Sequence, residues 1–405
     1  MEESRIDSPA RPAERRNAAL DALRGFAVLG IFMMNIQTFA MVQDAYLDPM
    51  AHMDLSGMNR TVWVLGHVFF ELKFITIFSV LFGAGVAMTA GKDDPDALAR
   101  HGRRMGWLLL IGMIHAYALW YGDILVAYAV WGLIAAMFLD RRPGVLIAVG
   151  AGLGLLTALA FWAQYSSWEQ GAGYFPSETW RPSEREIAEA ADMARAGWLT
   201  RSLATAGDTA DVQVSGLIYY GPRVLGCILI GIGLFRTGFL TGGWPARRYW
   251  LAAAVGLPVG LGAGALTAWA QLAGEFTPGV LAWTAVVDHV ASLPAALGYG
   301  ALIMLAAKAG WLDWLTRPLA AVGRMALTNY ITQSAIAAFL FWGPPGLGWF
   351  GTVERTGQAQ IVLAVWAAQL VWSPLWLSAF RFGPLEWAWR SLTYRRAQPM
   401  LRRAT

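Results

Sequence analysis

Uninterrupted apolar runs of about 20 residues recur along almost the whole chain, and a helix of that length crosses a hydrocarbon layer roughly 30 Å thick. A soluble helical protein carries polar faces at helical period, and most of these runs have none. Composition agrees: of 405 residues 57% are hydrophobic and 14% charged, 21 are Trp, and mean hydropathy is +0.44. These values lie outside the range of soluble domains. The expected fold is all-α, a polytopic integral membrane helical bundle of about ten transmembrane helices. The expected spans are 20–41, 61–90, 104–121, 123–139, 144–164, 216–239, 249–272, 279–307, 321–343 and 359–380.

Loop charges alternate in sign of content. Arg5, Arg11, Arg15 and Arg16 precede the first span; Lys92, Arg100, Arg103 and Arg104 follow the second; Arg141 and Arg142 follow the fourth. Arg236, Arg247 and Arg248, then Lys308 and Arg317, and finally Arg395, Arg396, Arg402 and Arg403 continue the series. The other loops carry Asp44, Asp48, Asp54, Asp123, Glu275 and Glu354. The positive-inside rule then places both termini in the cytoplasm. The chain divides into a cytoplasmic tail 1–19, a first helical group 20–164 of about five spans, an extracytoplasmic loop 165–215, a second group 216–394 of about five spans, and a basic cytoplasmic tail 395–405. The first run exceeds a signal peptide's apolar core and lacks a small-residue cleavage pattern, so it is expected to be retained. In the long loop Ser183 and Glu186 have capping-box spacing, which predicts a short amphipathic helix on the outer face, placed to lie over a site or simply to pack.

Several chemistries are excluded by what is missing. Cys227 is the single cysteine, so neither an intramolecular disulfide nor a cysteine-based metal site is expected. There is no HExxH, CxxC or i,i+4 histidine pair to suggest a metal, and no P-loop, dinucleotide fingerprint or GxSxG elbow. The net charge of +4 resides in loops and tails, which gives no reason to expect nucleic acid as a partner. No internal repeat is visible.

Polar residues inside the spans are the informative ones, because each costs a few kcal/mol on insertion unless it faces the bundle interior and pairs. In the first span Arg24 and Asn35 are eleven residues apart, which puts them within roughly 20° of one face and some 16 Å apart along the axis. Asp21 is placed to hold the guanidinium; the alternative for Arg24 is snorkelling to lipid phosphates. His67 and Glu71 share a helical face in the second span, with Lys73 pointing elsewhere toward an acid on another helix. Gly83 and Gly85 read as helix-packing residues. His115 and Asp123 flank a tight turn, either as a general base with its orienting acid or with Asp123 as a helix cap. Asp288 and His289 sit deep in the eighth span, and Asn329 and Gln333 lie one turn apart in the ninth. Glu386 and Arg390 have the spacing of a surface i,i+4 pair.

The segments LDALRGFAVLGIFMMNI, ELKFITIFSVLFGAGVAM, GMIHAYALWYGDILVAYAVWGL, GRMALTNYITQS and FGPLEWAWRSLTY together resemble the bacterial YeiB-like membrane family, which has a conserved domain of unknown function. That family is similar, distantly, to membrane acyltransferases that carry an acyl group from cytoplasmic acyl-CoA to an acceptor across the membrane. The resemblance implies a bacterial cytoplasmic (inner) membrane protein with acyl-CoA as donor, no bound cofactor, and a glycan, lipid or metabolite as acceptor. One branch of those enzymes has an arginine followed eleven positions later by a catalytic histidine; here the positions hold Arg24 and Asn35. An amide is no general base, so the resemblance shifts that role to His115 with Asp123 first and His67 with Glu71 second. It leaves Arg24 for donor phosphates and Asn35 for the acyl end or its oxyanion, while Lys73, Asp288, His289, Asn329 and Gln333 remain candidate substrate-binding residues. Two other readings stay open: a transporter or exporter using the buried His and Asp residues, and a non-catalytic sensor or assembly protein.

Overall fold

The computed structural model describes residues 12–90, 96–171, 181–310 and 312–402. Arg5, Arg11, Lys92 and Arg403 of the charge pattern lie outside them, as do the side chains of Arg15 and Arg16. The described residues form helices and no strands: α1 (Pro12–Ala40), α2 (Gly57–Phe69), α3 (Lys73–Thr89), α4 (Ala97–Ala118), α5 (Leu125–Ala136), α6 (Pro143–Glu169), α7 (Glu184–Arg195), α8 (Trp198–Ala204), α9 (Ala206–Ser215), α10 (Gly221–Arg236), α11 (Ala246–Ala273), α12 (Pro278–Ala309), α13 (Asp313–Arg324), α14 (Ala326–Phe341), α15 (Arg355–Ala379) and α16 (Pro384–Tyr394). The protein is thus a helical membrane bundle. Among the described residues 7 helical stretches are long and apolar enough to cross a membrane: 18–40, 57–89, 143–169, 206–236, 246–273, 278–309 and 355–379. The other three expected spans fall on α4, whose first turns are basic, on α5 with 12 residues, and on α13 and α14. At 1.5 Å per residue α5 covers only about 18 Å, less than a hydrocarbon core.

The second span is two helices. Leu72 adopts φ 60°, a left-handed backbone that ends α2 and restarts the chain as α3. The break coincides with the run His67, Glu71, Lys73, where polar side chains re-satisfy backbone groups freed inside the bundle. The nitrogen Nζ of Lys73 donates to the His67 carbonyl at 2.8 Å.

Helix α1 is the hub, packing against α3, α12, α13, α14 and α15, while α10 lies between α3 and α6. The main core joins Phe32 and Phe39 of α1 to Tyr128, Ile228 and Phe341. The α1/α13 crossing is closest where two glycines meet. A Cβ on Gly25 would fall 1.9 Å from the Leu319 carbonyl oxygen, and one on Gly323 would fall 1.8 Å from that of Asp21. Gly83 serves α3 and α10 in the same way, 2.0 Å from the Ile228 oxygen, but Gly85 has nothing within 4 Å and borders a cavity instead.

Gly323→Val is expected to destabilise the bundle by about 2 kcal/mol or more, since overpacking against backbone has no side chain to yield. Thermal unfolding in detergent reads this directly, with Gly102→Ala, where a Cβ meets open space, as the neutral or slightly stabilising control.

Candidate functional site

Four elements that the sequence separates widely, the start of α1, the first half of α4, the α13/α14 junction and α16, converge on the mouth of a cavity of about 220 Å³. Its rim carries Arg24, His101, Arg104, Arg324 and Glu386. Asp21 holds Arg24 at 2.6 Å, as its spacing implied. Arg104 lies flat on Trp389 with 4.3 Å from guanidinium carbon to ring centre, and Arg324 donates to the Arg381 carbonyl at 3.2 Å. Glu386 corrects an expectation: it does not pair with Arg390. Its carboxylate accepts from the Thr328 amide at 3.0 Å and hydroxyl at 2.6 Å, beside the N-terminus of α14, where a negative charge opposes the helix dipole favourably. Desolvation by the neighbouring helices holds this carboxyl above the ordinary carboxylate range despite those bonds. Arg390 instead stacks on Phe382 and Tyr394.

Behind the charged rim the walls become apolar, with Val28, Ile31, Phe78, Leu81 and Leu108, and the deep end is closed by Ile124, Tyr128 and Tyr330. The α1 stripe that starts at Arg24 continues through Val28 and Ile31. Asn35 is half-buried one turn further on and does not line the cavity.

Directly beyond Tyr330 lies the pair expected from the tight turn. His115 Nδ1 and Asp123 Oδ2 are 2.6 Å apart, both residues are buried, and the His115 and Tyr330 rings are 5.0 Å apart between centres. Asp123 Oδ1 also accepts from the Val126 amide at 2.9 Å, so capping and histidine orientation are one arrangement rather than alternatives. His115 Nε2 and the Tyr330 hydroxyl have no protein hydrogen-bond partner although both are buried. The segment after α6 closes over this turn. The predicted capping box is present at Ser183 and Glu186, the Trp198 indole donates to the Ala118 carbonyl at 2.6 Å, and the Gln213 amide donates to the Tyr121 carbonyl at 2.7 Å.

A second polar cluster gathers at the α2/α3 break. His67 Nδ1 is in contact with Glu71, its Nε2 lies 2.9 Å from Thr267 Oγ1 and 3.5 Å from Asp288 Oδ2, and Thr267 donates to Asp288 at 2.7 Å. Lys73 turns back to the His67 carbonyl rather than forming an ion pair at hydrogen-bond distance with another helix. Arg223, which the candidate set did not include, donates to Thr76 at 2.6 Å and Ser292 at 2.8 Å, tying α3, α10 and α12 together. Asp288 and His289, adjacent in sequence, part company: His289 bonds its own helix at Ala285 and sits against Phe161.

Asn329 and Gln333 are brought to neither cluster. The Asn329 amide donates to Ser373 Oγ at 3.1 Å, the Gln333 amide donates to Gln369 Oε1 at 2.9 Å, and the Gln369 amide donates to the Asn329 carbonyl at 3.0 Å. This is a polar seam between α14 and α15, of the kind that joins helices in membranes. Among the described residues no group of His, Cys, Asp and Glu is placed to hold a metal ion.

A small cavity of about 20 Å³ opens near the other end of α1, bordered by Gln37, Tyr46, Trp63, His67, Glu71 and Arg355. Arg355 and Tyr330 are the residues that spacing did not single out. Arg355 sits at a loop-to-helix boundary, where an arginine reads as interfacial, and Tyr330 looks like any aromatic in an apolar run.

Comparison with known proteins agrees with this architecture in giving no activity by name. A family model described as a protein of unknown function, DUF418, matches residues 234–396. The chain is 33% identical to the uncharacterized protein YeiB of Escherichia coli (strain K12), over 95% of this chain and 98% of that one. It is 28% identical to the uncharacterized protein YxaH of Bacillus subtilis (strain 168), over 96% of both chains. No solved structure matches. With such identity to YeiB extending over nearly the full length of both proteins, the chain belongs to the YeiB-like family of unknown function.

Proposed function

We propose that the protein is a membrane-embedded acyltransferase that takes an acyl group from cytoplasmic acyl-CoA and delivers it to an acceptor approaching from the opposite face. One observation carries the reading: a cavity that begins among three arginines and ends against a tyrosine touching a His–Asp pair. At about 220 Å³ the cavity is smaller than the roughly 300–1,000 Å³ of a whole-ligand pocket. It suits an acyl–pantetheine end threaded inward while the nucleotide phosphates stay at Arg24, Arg104 and Arg324, to which guanidinium groups bind through charge-assisted bonds. The apolar walls match an acyl chain.

In this mechanism His115 Nε2 takes the proton from an acceptor hydroxyl or amine as that atom attacks the thioester carbonyl. Asp123 fixes the proton on Nδ1 and stabilises the imidazolium. The carbon–sulfur bond then breaks, and the thiol leaves through the arginine mouth with the proton returned to sulfur. The Tyr330 hydroxyl is placed to donate to the oxyanion, a contribution worth a few kcal/mol in other acyl-transfer sites; it replaces Asn35 in that role. The same reading takes ten membrane passages with both termini in the cytoplasm of a bacterial inner membrane, so that the arginine mouth faces the donor, and a glycan, lipid or metabolite as the acceptor.

A second reading rests on the α2/α3 break. Interrupted helices with His67, Glu71, Lys73, Asp288 and Arg223 gathered at the break resemble a proton or substrate relay of the kind transporters use. The two readings separate cleanly in measurement.

An acyl-CoA is expected to raise the unfolding midpoint of the purified protein in nanodiscs by mass action, and Arg24→Ala to shift the dose response to at least tenfold higher concentration. His115→Ala is expected to retain that stabilisation while lowering acyl-CoA turnover by roughly 10²-fold or more, within the range of general-base contributions. Gly85→Leu fills the cavity without meeting backbone, so it is expected to shorten the acyl chain that still stabilises the protein. Absence of any acyl-CoA response in folded protein would leave the relay reading in possession.

A further inference from the structure

Arg355 is 2% exposed, and of its guanidinium nitrogens Nε and Nη1 have no hydrogen-bond partner. Nη2 reaches the Ala45 carbonyl at 3.4 Å. A buried unpaired charge of this kind is strongly unfavourable, and burial is repaid only where a counter-charge and hydrogen bonds meet the group. Asp48 attracts the guanidinium only from beyond ion-pair distance, its carboxylate being held by Arg181 at 2.6 Å; Glu354 accepts from Asn59 at 2.8 Å, and Glu71, which lines the same small cavity as Arg355, is in contact with His67. Arg355 opens into the cavity of about 20 Å³ at the end of α1 remote from Arg24, a space large enough for one or two water-sized atoms. Gln358 lines the same cavity, 2% exposed; its amide nitrogen donates to the Val353 carbonyl at 2.9 Å, which leaves its Oε1 without a donor. Both residues belong to the first turn of α15, whose dipole adds to the attraction for negative charge.

We infer that this cavity is an oxyanion-binding site, taking the tip of a carboxylate or phosphate group on Arg355 and accepting a hydroxyl or amine hydrogen of the same molecule on Gln358. Two sources share this chemistry, a free small acid and the headgroup of an anionic lipid. The site lies at the depth of the His115–Asp123 pair, since Trp120, packed on His115, donates to Thr38 of α1 at 3.0 Å, one residue from Gln37 of the cavity. Taken with the acyl transfer proposed above, on which this last assignment alone rests, the occupant is the acidic group of the acceptor. The oxyanion site itself stands independently of that reaction.

The test uses the full-length protein in phosphatidylcholine nanodiscs, titrated separately with sodium acetate and inorganic phosphate at constant ionic strength, and in nanodiscs containing phosphatidylglycerol. The expected result is a saturable rise in the wild-type unfolding midpoint that Arg355→Met lacks, with the variant no less stable than wild type in the absence of the anion because it loses an unpaired buried charge. A rise with soluble anions assigns a free acid; a midpoint already raised by phosphatidylglycerol and unmoved by added anion assigns the lipid. Equal anion responses in wild type and Arg355→Met, or none in either membrane, overturn the proposal. Should Arg355→Met fail to fold, Arg355→Lys takes its place: it must raise the half-saturating anion concentration at least severalfold, and an unchanged value overturns the site. The acyl-CoA response of the Arg355 variants is expected to stay at the wild-type level, so failure of this site and failure of the acyl-transfer reading give different patterns.

Discussion

An ionisable side chain inside a bundle of apolar helices must find a partner, because the alternative costs several kcal/mol. That constraint organises this molecule more than any single contact in its core. Asp123 meets His115, Glu71 and Asp288 meet His67, Lys73 folds back on a carbonyl, and Arg223 is bound by Thr76 and Ser292. The contacts of Asp288 with His67 and of Arg223 with Thr76 and Ser292 join helices distant in sequence, so these polar groups also specify how the apolar helices assemble. The break at Leu72 belongs to the same logic: irregular backbone is tolerated within the bundle because polar side chains surround it.

Against that background the unmatched groups stand out. Among the described residues, His115 Nε2, the Tyr330 hydroxyl, Nε and Nη1 of Arg355 and Gln358 Oε1 are buried without protein partners, as are His101 Nδ1, Trp131 Nε1, Arg201 Nε, Ser202 Oγ, His289 Nε2 and Gln333 Oε1. The first five of these atoms lie by two cavities: Tyr330 lines the arginine-mouthed one with the His115 ring against it, and Arg355 and Gln358 line the small one near the opposite end of α1.

Helix type, most membrane passages and the His115–Asp123 pair were legible because each depends on local spacing. The last turn of α4 and a tight turn leave His115 and Asp123 little choice but to meet, and Arg24 three residues from Asp21 has the same local reason. Asn35 lies away from the cavity for a reason spacing does not reveal: it shares Arg24's stripe, but the cavity leaves that stripe after Ile31 and turns toward α4 and α14. Asn329 and Gln333 place polar atoms in a span and demand a partner, which spacing leaves open between a ligand and a neighbouring helix; in the structure α15 supplies it. Glu386 and Arg390 had ideal spacing for each other, and the α14 N-terminus outcompeted the arginine by offering two donors at once.

What the sequence determined alone was the chemistry of the solvent this chain folds in, the helical class, and the short-range pairs within one turn or one loop. Apolar length and helical period operate over a few residues, so they can be read without knowing the fold. Only the tertiary structure decided which charges share a cavity. Arg24, Arg104, Arg324 and Glu386 come from four separate elements, and Arg355 reaches a space bordered by residues of α1 and α2 some 300 positions earlier. Their meeting depends on glycine crossings such as Gly25 with Gly323, where two backbones approach closely enough to set the angle between helices. That geometry is a property of the packed whole, written in no local run of residues.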